Sequence, residues 1–484
     1  MGLSVVKVLS RVLWHDRARA ASRGPAPPRD GQVAAIRPAN EKGILLPAAA
    51  LCLLYLALVG APLALAALQD TAPRQIWDEL ATGAGLAGLA ILLVEFALSG
   101  RFRTISGRIG MDVTMRLHQL LARTAAGLLL LHPFLYRGRQ QLDPRQAPPG
   151  ADTLDYGLDG LWPGIVAWLL LGALMVMAIG RDGLYRHELW RLGHGAMALA
   201  VAGLGVLHAT RAGRYSADPV LAWFWTGLFG VAVASLLWVY LAKPLMKHRR
   251  PWRVTGVQHL ADRTWELTLS PDGHDGLRFA PGQFAWISIG HGAFSLNENP
   301  FSIASAPGAG PDLRFVIKEL GDFTRRIGDI PTGTPAHVDA PFGALTLDGH
   351  RDVPGICLVA GGVGIAPMLS HLREMALDGD PRPRLLVYAN RSPSQVVHGD
   401  ELDRMARETP LELVHVLSEP PPGWQGETGL VTRDLLERHL DAAARRDWVF
   451  VLCGPPPMLH AVETALLEMG VPARNILSEQ FSYD

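Results

Sequence analysis

Between residues 43 and 242 the chain is strongly apolar, and inside that region four histidines fall into two pairs of identical spacing: His118 with His132, and His194 with His208. Stretches near 43–69, 77–99, 115–136, 160–180, 190–210 and 219–242 are long enough to cross a bilayer as helices. Within each histidine pair the 14-residue separation rises ~21 Å along a helix and returns to within ~40° of a whole number of turns. Each helix therefore presents two imidazoles on one face, one towards each side of the bilayer. A single intramembrane histidine is accounted for by a hydrogen bond between helices. Two pairs with matched spacing are not, and ionisable side chains inside a membrane are costly enough to need a reason. Ligation of two stacked haems, His118 with His194 and His132 with His208, supplies one.

The rest of the composition narrows the class. The net charge is zero and the pI near neutral, so nothing points to nucleic acid. Cys52, Cys357 and Cys453 are far apart and form neither a metal-binding spacing nor an iron–sulfur motif. Residues 1–42 carry eight Lys/Arg and three Asp/Glu without the apolar core of an ordinary signal peptide. They read as a basic cytoplasmic tail or as a surface-lying amphipathic helix. Arg101, Arg103, Arg108, Arg181, Arg186, Lys243, Lys247, Arg249 and Arg250 flank the spans on one side. Asp143, Asp152, Asp155 and Asp159 lie among the loops of the other. The excess of basic residues predicts a multi-pass protein of a bacterial-type inner membrane with both termini cytoplasmic. His118 and His194 are then the inner pair, and His132 and His208 the outer. Gly193, Gly195, Gly203 and Gly205 leave room for a flat macrocycle. Arg116, Arg123 and Arg191 suit propionates, or equally a plain cytoplasmic helix end. His187 reads as an ordinary polar loop residue.

From Trp252 the periodicity changes to short alternating runs at 252–258, 264–270, 284–289, 313–318 and 336–339, which predict a small antiparallel β-barrel over 250–350. Over 351–484 short buried strands (356–360, 384–389, 411–416, 448–453) alternate with helices, the pattern of a doubly wound parallel α/β domain. Gly361-Gly362-Val363-Gly364-Ile365-Ala366-Pro367 follows the first of these strands and opens a helix, where glycines let a backbone approach a pyrophosphate. Cys453-Gly454-Pro455-Pro456 ends a later strand at the same sheet edge, where a nicotinamide has room. In the barrel Asn299-Pro300-Phe301-Ser302 follows Pro281-Gly282-Gln283-Phe284. Farther on, Gly321-Asp322-Phe323-Thr324 begins an expected helix whose amides and hydroxyl suit a phosphate.

In this order the motifs give a resemblance. The soluble half resembles the ferredoxin–NADP reductase superfamily. Over residues 43–484 the chain is similar to the membrane ferric reductase and NADPH oxidase family. The resemblance implies a six-helix bundle, here 43–242, holding two b-type haems through His118, His132, His194 and His208. It implies FAD contacts from Pro300, Phe301 and Ser302. Asn299 stands where the family has histidine. Ile317, Lys318, Gly321 and Thr324 match the second FAD segment. Gly361, Gly362, Gly364 and Pro367 match the nucleotide loop, and Cys453, Gly454 and Pro455 the nicotinamide side. Glu479-Gln480-Phe481 matches a terminal aromatic that covers the flavin, which makes Phe481, or its neighbour Tyr483, the catalytic aromatic. Arg391, after the second strand of the α/β domain, tilts the expectation towards NADPH, with NADH the alternative.

The expected activity is a transmembrane electron relay from cytoplasmic NAD(P)H through FAD and two haems to an extracytoplasmic acceptor, a ferric complex or dioxygen. The competing class is an electron-supply module for a quinone-linked or periplasmic partner protein. A third, a haem-free membrane anchor for a flavin reductase, leaves the histidine spacing unexplained.

Overall fold

The computed structural model describes residues 48–72, 74–99, 102, 111–136, 158–180 and 187–479. The basic tail 1–42, the loop residues Arg101, Arg103, Arg108, Arg181 and Arg186, the aspartates Asp143, Asp152 and Asp155, and the terminal Phe481 and Tyr483 lie outside these residues. The chain forms two compact units, one of helices within Ala49–Ala242 and one from Lys243 onward.

The helical unit contains α1 (Ala48–Ala67), α2 (Ile76–Ser99), α3 (Met111–Leu135), α4 (Leu158–Ile179), α5 (His187–Ala212) and α6 (Pro219–Leu237). A π-helical turn, Trp238–Ala242, extends α6. By length and composition α1, α2, α4, α5 and α6 are apolar enough to cross a membrane. α3 is not among them, because Asp112, Arg116, His118, Arg123 and His132 dilute its apolar sequence. His187 begins α5, which corrects its reading as a loop residue. Asp218 starts α6 by accepting from the Val220 amide at 2.9 Å, with Pro219 in the first turn, where a missing N–H costs no helical bond. Trp225 of α6 is fully buried, and its indole donates to Ser216 Oγ at 3.0 Å. Leu53, Leu56, Leu169, Val176 and Trp223 point outward and are well exposed. An apolar exterior of this kind matches acyl chains and is costly in water.

The second unit opens with α7 (Lys243–His248). Lys243 and Lys247 are buried, the first against Asp339 at 3.1 Å and the second against Glu298. Each of these flanking charges is paired inside the fold. Strands β1 (Trp252–Ala261), β2 (Thr264–Pro271), β3 (Phe284–Ile289), β4 (Asn299–Ser302), β5 (Leu313–Lys318) and β6 (Pro335–Phe342) form an antiparallel sheet in the order β4-β3-β6-β1-β2-β5. Its two edges meet through one bridge, Ile303 to Phe315. Pro300 lies on the edge strand β4, where its missing N–H breaks no ladder. Val254, Leu267, Leu269, Ile287 and Phe315 fill the interior.

Strands β7 (Ile356–Gly361), β8 (Arg384–Asn390), β9 (Leu411–Leu417), β10 (Glu427–Thr428), β11 (Val449–Cys453) and β12 (Ile476–Ser478) form a parallel sheet in the order β10-β9-β8-β7-β11-β12. Helices α8 (Ile365–Leu377), α9 (Gly399–Glu408), α10 (Arg433–His439), α11 (Ala442–Asp447) and α12 (Pro456–Glu468) connect the strands. Every residue of β7 and β11 is buried, because separate apolar clusters cover the two faces of the sheet. The strand order reverses between β7 and β11. That reversal opens a crevice at the carboxyl ends of these strands, the usual ligand position in such sheets.

Candidate functional site

In the helical unit, α3 carries His118 and His132 and α5 carries His194 and His208. His194 lies within electrostatic reach of His118, and His208 of His132. Arg191 near the start of α5 lies 5.7 Å from the Tyr240 ring just past α6. The His118/His194 pair therefore sits at the end of the bundle where α6 finishes.

Each α3 imidazole has its Nδ1 engaged. His118 Nδ1 is 2.7 Å from Glu95 Oε2 on α2, and His132 Nδ1 is 2.7 Å from the Leu129 carbonyl. The second contact has a sequence cause. Pro133 lacks the N–H that would bond to residue 129 in a regular helix, so the Leu129 carbonyl is left for the ring. Donation from Nδ1 fixes the tautomer that leaves Nε2 free as a metal ligand. On α5, Nδ1 of His194 and of His208 is buried without a hydrogen-bond partner.

His132 and His208 line one partly open cavity of about 100 Å³ with Gly85, Leu129, Gly164, Trp168 and Gly205. A Cβ on Gly164 would come within 2.6–2.7 Å of the His208 ring, so only glycine fits there. Gly205 lines the cavity, whereas Gly203 faces Phe229 of α6 and serves helix packing. Among the described residues no group of three or more His, Cys, Asp or Glu gathers to hold a metal ion. Two opposed histidines beside an apolar cavity suit a planar macrocycle whose iron needs two axial nitrogens, so the residues present fit haem.

In the antiparallel sheet, β4 places Asn299, Pro300, Phe301 and Ser302 opposite Ile287, Trp286, Ala285 and Phe284 of β3. Phe301 approaches Phe323, ring centroids 6.2 Å apart, which brings this motif beside the turn 321–324. That turn differs from expectation. It leads into a short 3-10 helix, Thr324–Asp329, and Thr324 Oγ accepts from the Leu320 and Gly321 amides at 2.8 and 2.9 Å. The hydroxyl thus closes its own turn, and the helix expected there is this short 3-10 segment. Ile317 is fully buried in the sheet core. Lys318 ends β5 beside Thr264. Asn299 Nδ2 is 3.4 Å from Asn297 Oδ1.

At the parallel sheet the two loops at the reversal meet. A Cβ on Gly361 would strike Pro455 and Met458, one on Gly454 would strike Met458 and the backbone of Gly361, and one on Gly364 would strike the Cys453 carbonyl. Gly362 has φ +53° and open space above it. Pro367 is buried in the first turn of α8. Burial first, and then the charge of Glu479, push the Cys453 thiol up, so it stays protonated. Arg391 follows β8, and its Nε donates to Glu419 Oε1 at 2.8 Å, with both side chains more than half exposed. No acid ends β8 itself; the carboxylate comes from the end of the neighbouring β9, a proximity the linear sequence does not display.

A polar network joins the two sheets of this unit. His398 bridges Glu266 of β2 at 3.0 Å and Glu401 at 3.2 Å. Arg373 grips Glu401 with two hydrogen bonds of 2.8 and 2.7 Å and donates to the Ala304 carbonyl. Burial opposes charge on all three titrating groups. The mutual hydrogen bonds nevertheless hold both carboxyls below the usual range and His398 above it.

The model of the ferric reductase like transmembrane component matches residues 84–205, that of an FAD-binding domain 251–340, and that of the oxidoreductase NAD-binding domain 358–464. The chain is a ferric reductase/NADPH oxidase-like fusion. His118, His132 and His194 fall within the transmembrane match, and His208 lies three residues past its end. The fusion is 34% identical over 162 residues to NADH-cytochrome b5 reductase 1 of Lodderomyces elongisporus, covering 33% of this chain and 53% of that one. It is 32% identical over 226 residues to the reductase component of propane 2-monooxygenase from Mycolicibacterium goodii, covering 45% and 63%. The chain thus spans about half the length of the first of these curated relatives. A ferredoxin NADP+ reductase from Neisseria gonorrhoeae with bound FAD and NADP aligns at TM-score 0.41 and 21% identity, over 47% of this chain and 97% of that one.

Proposed function

We propose that the fusion is a transmembrane oxidoreductase that takes electrons from cytoplasmic NAD(P)H, with FAD and two b-type haems as carriers, and delivers them to an acceptor across the membrane. The observation that carries this reading is two histidines on each of α3 and α5, with His132 and His208 lining one cavity, in one chain with matches to FAD- and NAD-binding domains. Bound FAD accepts a hydride and releases single electrons, and haem iron cycles by single electrons. The protein's own part is positional. Gly362 leaves open space for the nucleotide phosphates, and Gly361 and Gly364 let its loop pack against the Cys453–Pro455 turn. Cys453, Gly454 and Pro455 form the nicotinamide side. Asn299 to Ser302, with Lys318 and the turn at Gly321 and Thr324, face the flavin, and Phe481 covers it. The division into tail 1–42, bundle 43–242, FAD domain 250–350 and NAD(P)H domain 351–484 belongs to this reading, as does the cytoplasmic placement of both termini.

A ferric complex or dioxygen is the acceptor. The likeness to a protein named as a reductase component favours, as a second reading, service to a partner protein. An anaerobic visible spectrum before and after NADPH or NADH tests the main reading: flavin bleaching followed by sharp b-type haem bands is expected, and protein without haem refutes it. His118→Ala and His194→Ala are each expected to remove one and the same haem, and either variant retaining both overturns the pairing. Turnover with small acceptors alone separates the two readings, since a supply module turns over only with its partner.

A further inference from the structure

The two histidines of α3 are held by acceptors of different charge, and that difference has a redox consequence. Glu95 lies within the apolar helix α2 and is 4% exposed. A carboxylate there is costly unless it has a task. Its Oε2 takes His118 Nδ1 at 2.7 Å, while its Oε1 is buried with no hydrogen-bond partner. The Tyr55 hydroxyl, also buried without a partner, is electrostatically coupled to Glu95 but makes no hydrogen bond to it. At the other end of α3, His132 Nδ1 meets the neutral Leu129 carbonyl that Pro133 leaves free. On α5 the corresponding Nδ1 atoms of His194 and His208 are alike, both buried and unpartnered. On the α5 side the two sites differ in packing, His194 stacking on Trp190 and His208 lying against Gly164, but only on the α3 side does a carboxylate meet an imidazole nitrogen among the described residues.

A full negative charge at Nδ1 gives an imidazole more anionic character than a carbonyl does, and a more basic ligand favours ferric over ferrous iron. We propose that Glu95 is a positioning residue that holds the His118/His194 haem at a lower potential than the His132/His208 haem, so that electron transfer runs from the first site to the second. In that transfer one electron leaves ferrous iron at the first site and reduces ferric iron at the second. No bond breaks and no proton moves. The inference rests on the haem assignment of the proposed function and adds to it the residue that sets the potential of one site.

The test is a potentiometric titration of the full-length protein in detergent, followed through its haem bands. Wild type is expected to show two waves, and His118→Ala to lack the lower one. Glu95→Gln keeps an acceptor near His118 but removes the charge. It is expected to raise the lower wave by roughly tenfold in the ferrous-to-ferric ratio at fixed potential, about 59 mV for a one-electron couple. The upper wave is expected to stay in place. Glu95→Asp retains the charge and is expected to restore most of the difference. A lower wave unmoved in Glu95→Gln with both haems bound overturns the inference, as does loss of the upper wave in His118→Ala. Should Glu95→Gln fail to accumulate, electron paramagnetic resonance of oxidised wild type decides: two distinct low-spin signals support unequal ligand character, and two identical signals refute it. Wild-type protein without haem, or His118→Ala retaining both haems, fails the proposed function itself, a result distinguishable from all of these.

Discussion

Gly164→Ala isolates the contact between α4 and the second histidine pair. A methyl at Gly164 would lie 2.6–2.7 Å from Nδ1, Cε1 and Cγ of His208, closer than any ordinary van der Waals contact. Either the ring tilts or α4 retreats from α5, and overpacking of this kind costs about 1–3 kcal/mol. Replacing glycine by alanine within a helix returns about 1 kcal/mol of propensity. The net destabilisation is therefore about 0–2 kcal/mol, small enough for the bundle to assemble but aimed at one ligand. Gly172→Ala on the same helix is the control, because nothing lies within 4 Å of its added Cβ. It carries the same propensity gain without the clash. Haem per polypeptide, measured by extraction and absorbance, is expected to fall from two towards one in Gly164→Ala and to remain at two in Gly172→Ala. Equal haem content and equal thermal midpoints in the two variants would refute the argument that Gly164 makes room for the His208 ring.

The Arg391–Glu419 pair is exposed and worth about 0.2–1 kcal/mol, so it competes only weakly with a 2′-phosphate for the guanidinium. Glu419→Gln is expected to raise kcat/KM for NADPH relative to NADH by about 1.4- to 5-fold. Arg391→Ala is expected to lower that ratio, and an unchanged ratio in both variants removes Arg391 from the nucleotide site. The His398 network predicts a pH profile for stability of the unit from Lys243 onward. Glu266 and Glu401 are depressed, so their contribution is present above about pH 4.3 and is lost as pH falls through the folded values. His398 is raised, so its contribution is complete below about pH 6.5 and is lost as pH rises through its folded value. The thermal midpoint for flavin release from the full chain is therefore expected to peak between about pH 4.5 and 6.5. His398→Gln should abolish the loss on the alkaline side, and an alkaline slope equal to wild type in that variant rules the network out as its source.

Local periodicity made much of the architecture legible. The alternation at 252–258 and 264–270 became β1 and β2, and the buried runs at 356–360 and 448–453 became β7 and β11. The histidine spacing puts two rings on one face of α3 and two on one face of α5, because helical rotation is set by residue number alone. The same local rules did not show that the Thr324 hydroxyl closes its own turn, or that the Ile317 side chain enters the core. They did not disclose the partners of Lys243 and Lys247, since nothing near them in sequence announces Asp339 and Glu298.

What the sequence alone determined is what depends on neighbours in the chain: the spans, the strands, the glycine loops, and the carbonyl at Leu129 that Pro133 leaves for His132. Tertiary structure decided the contacts between residues far apart in number. These are Glu95 on His118, Gly164 under His208, Glu419 on Arg391, and Gly361 and Gly364 against the Cys453–Pro455 turn. The reason is physical. A helix or strand requires only a local dihedral preference and an apolar pattern, whereas the partner of a buried charge is set by which surfaces pack together, a property of the whole fold.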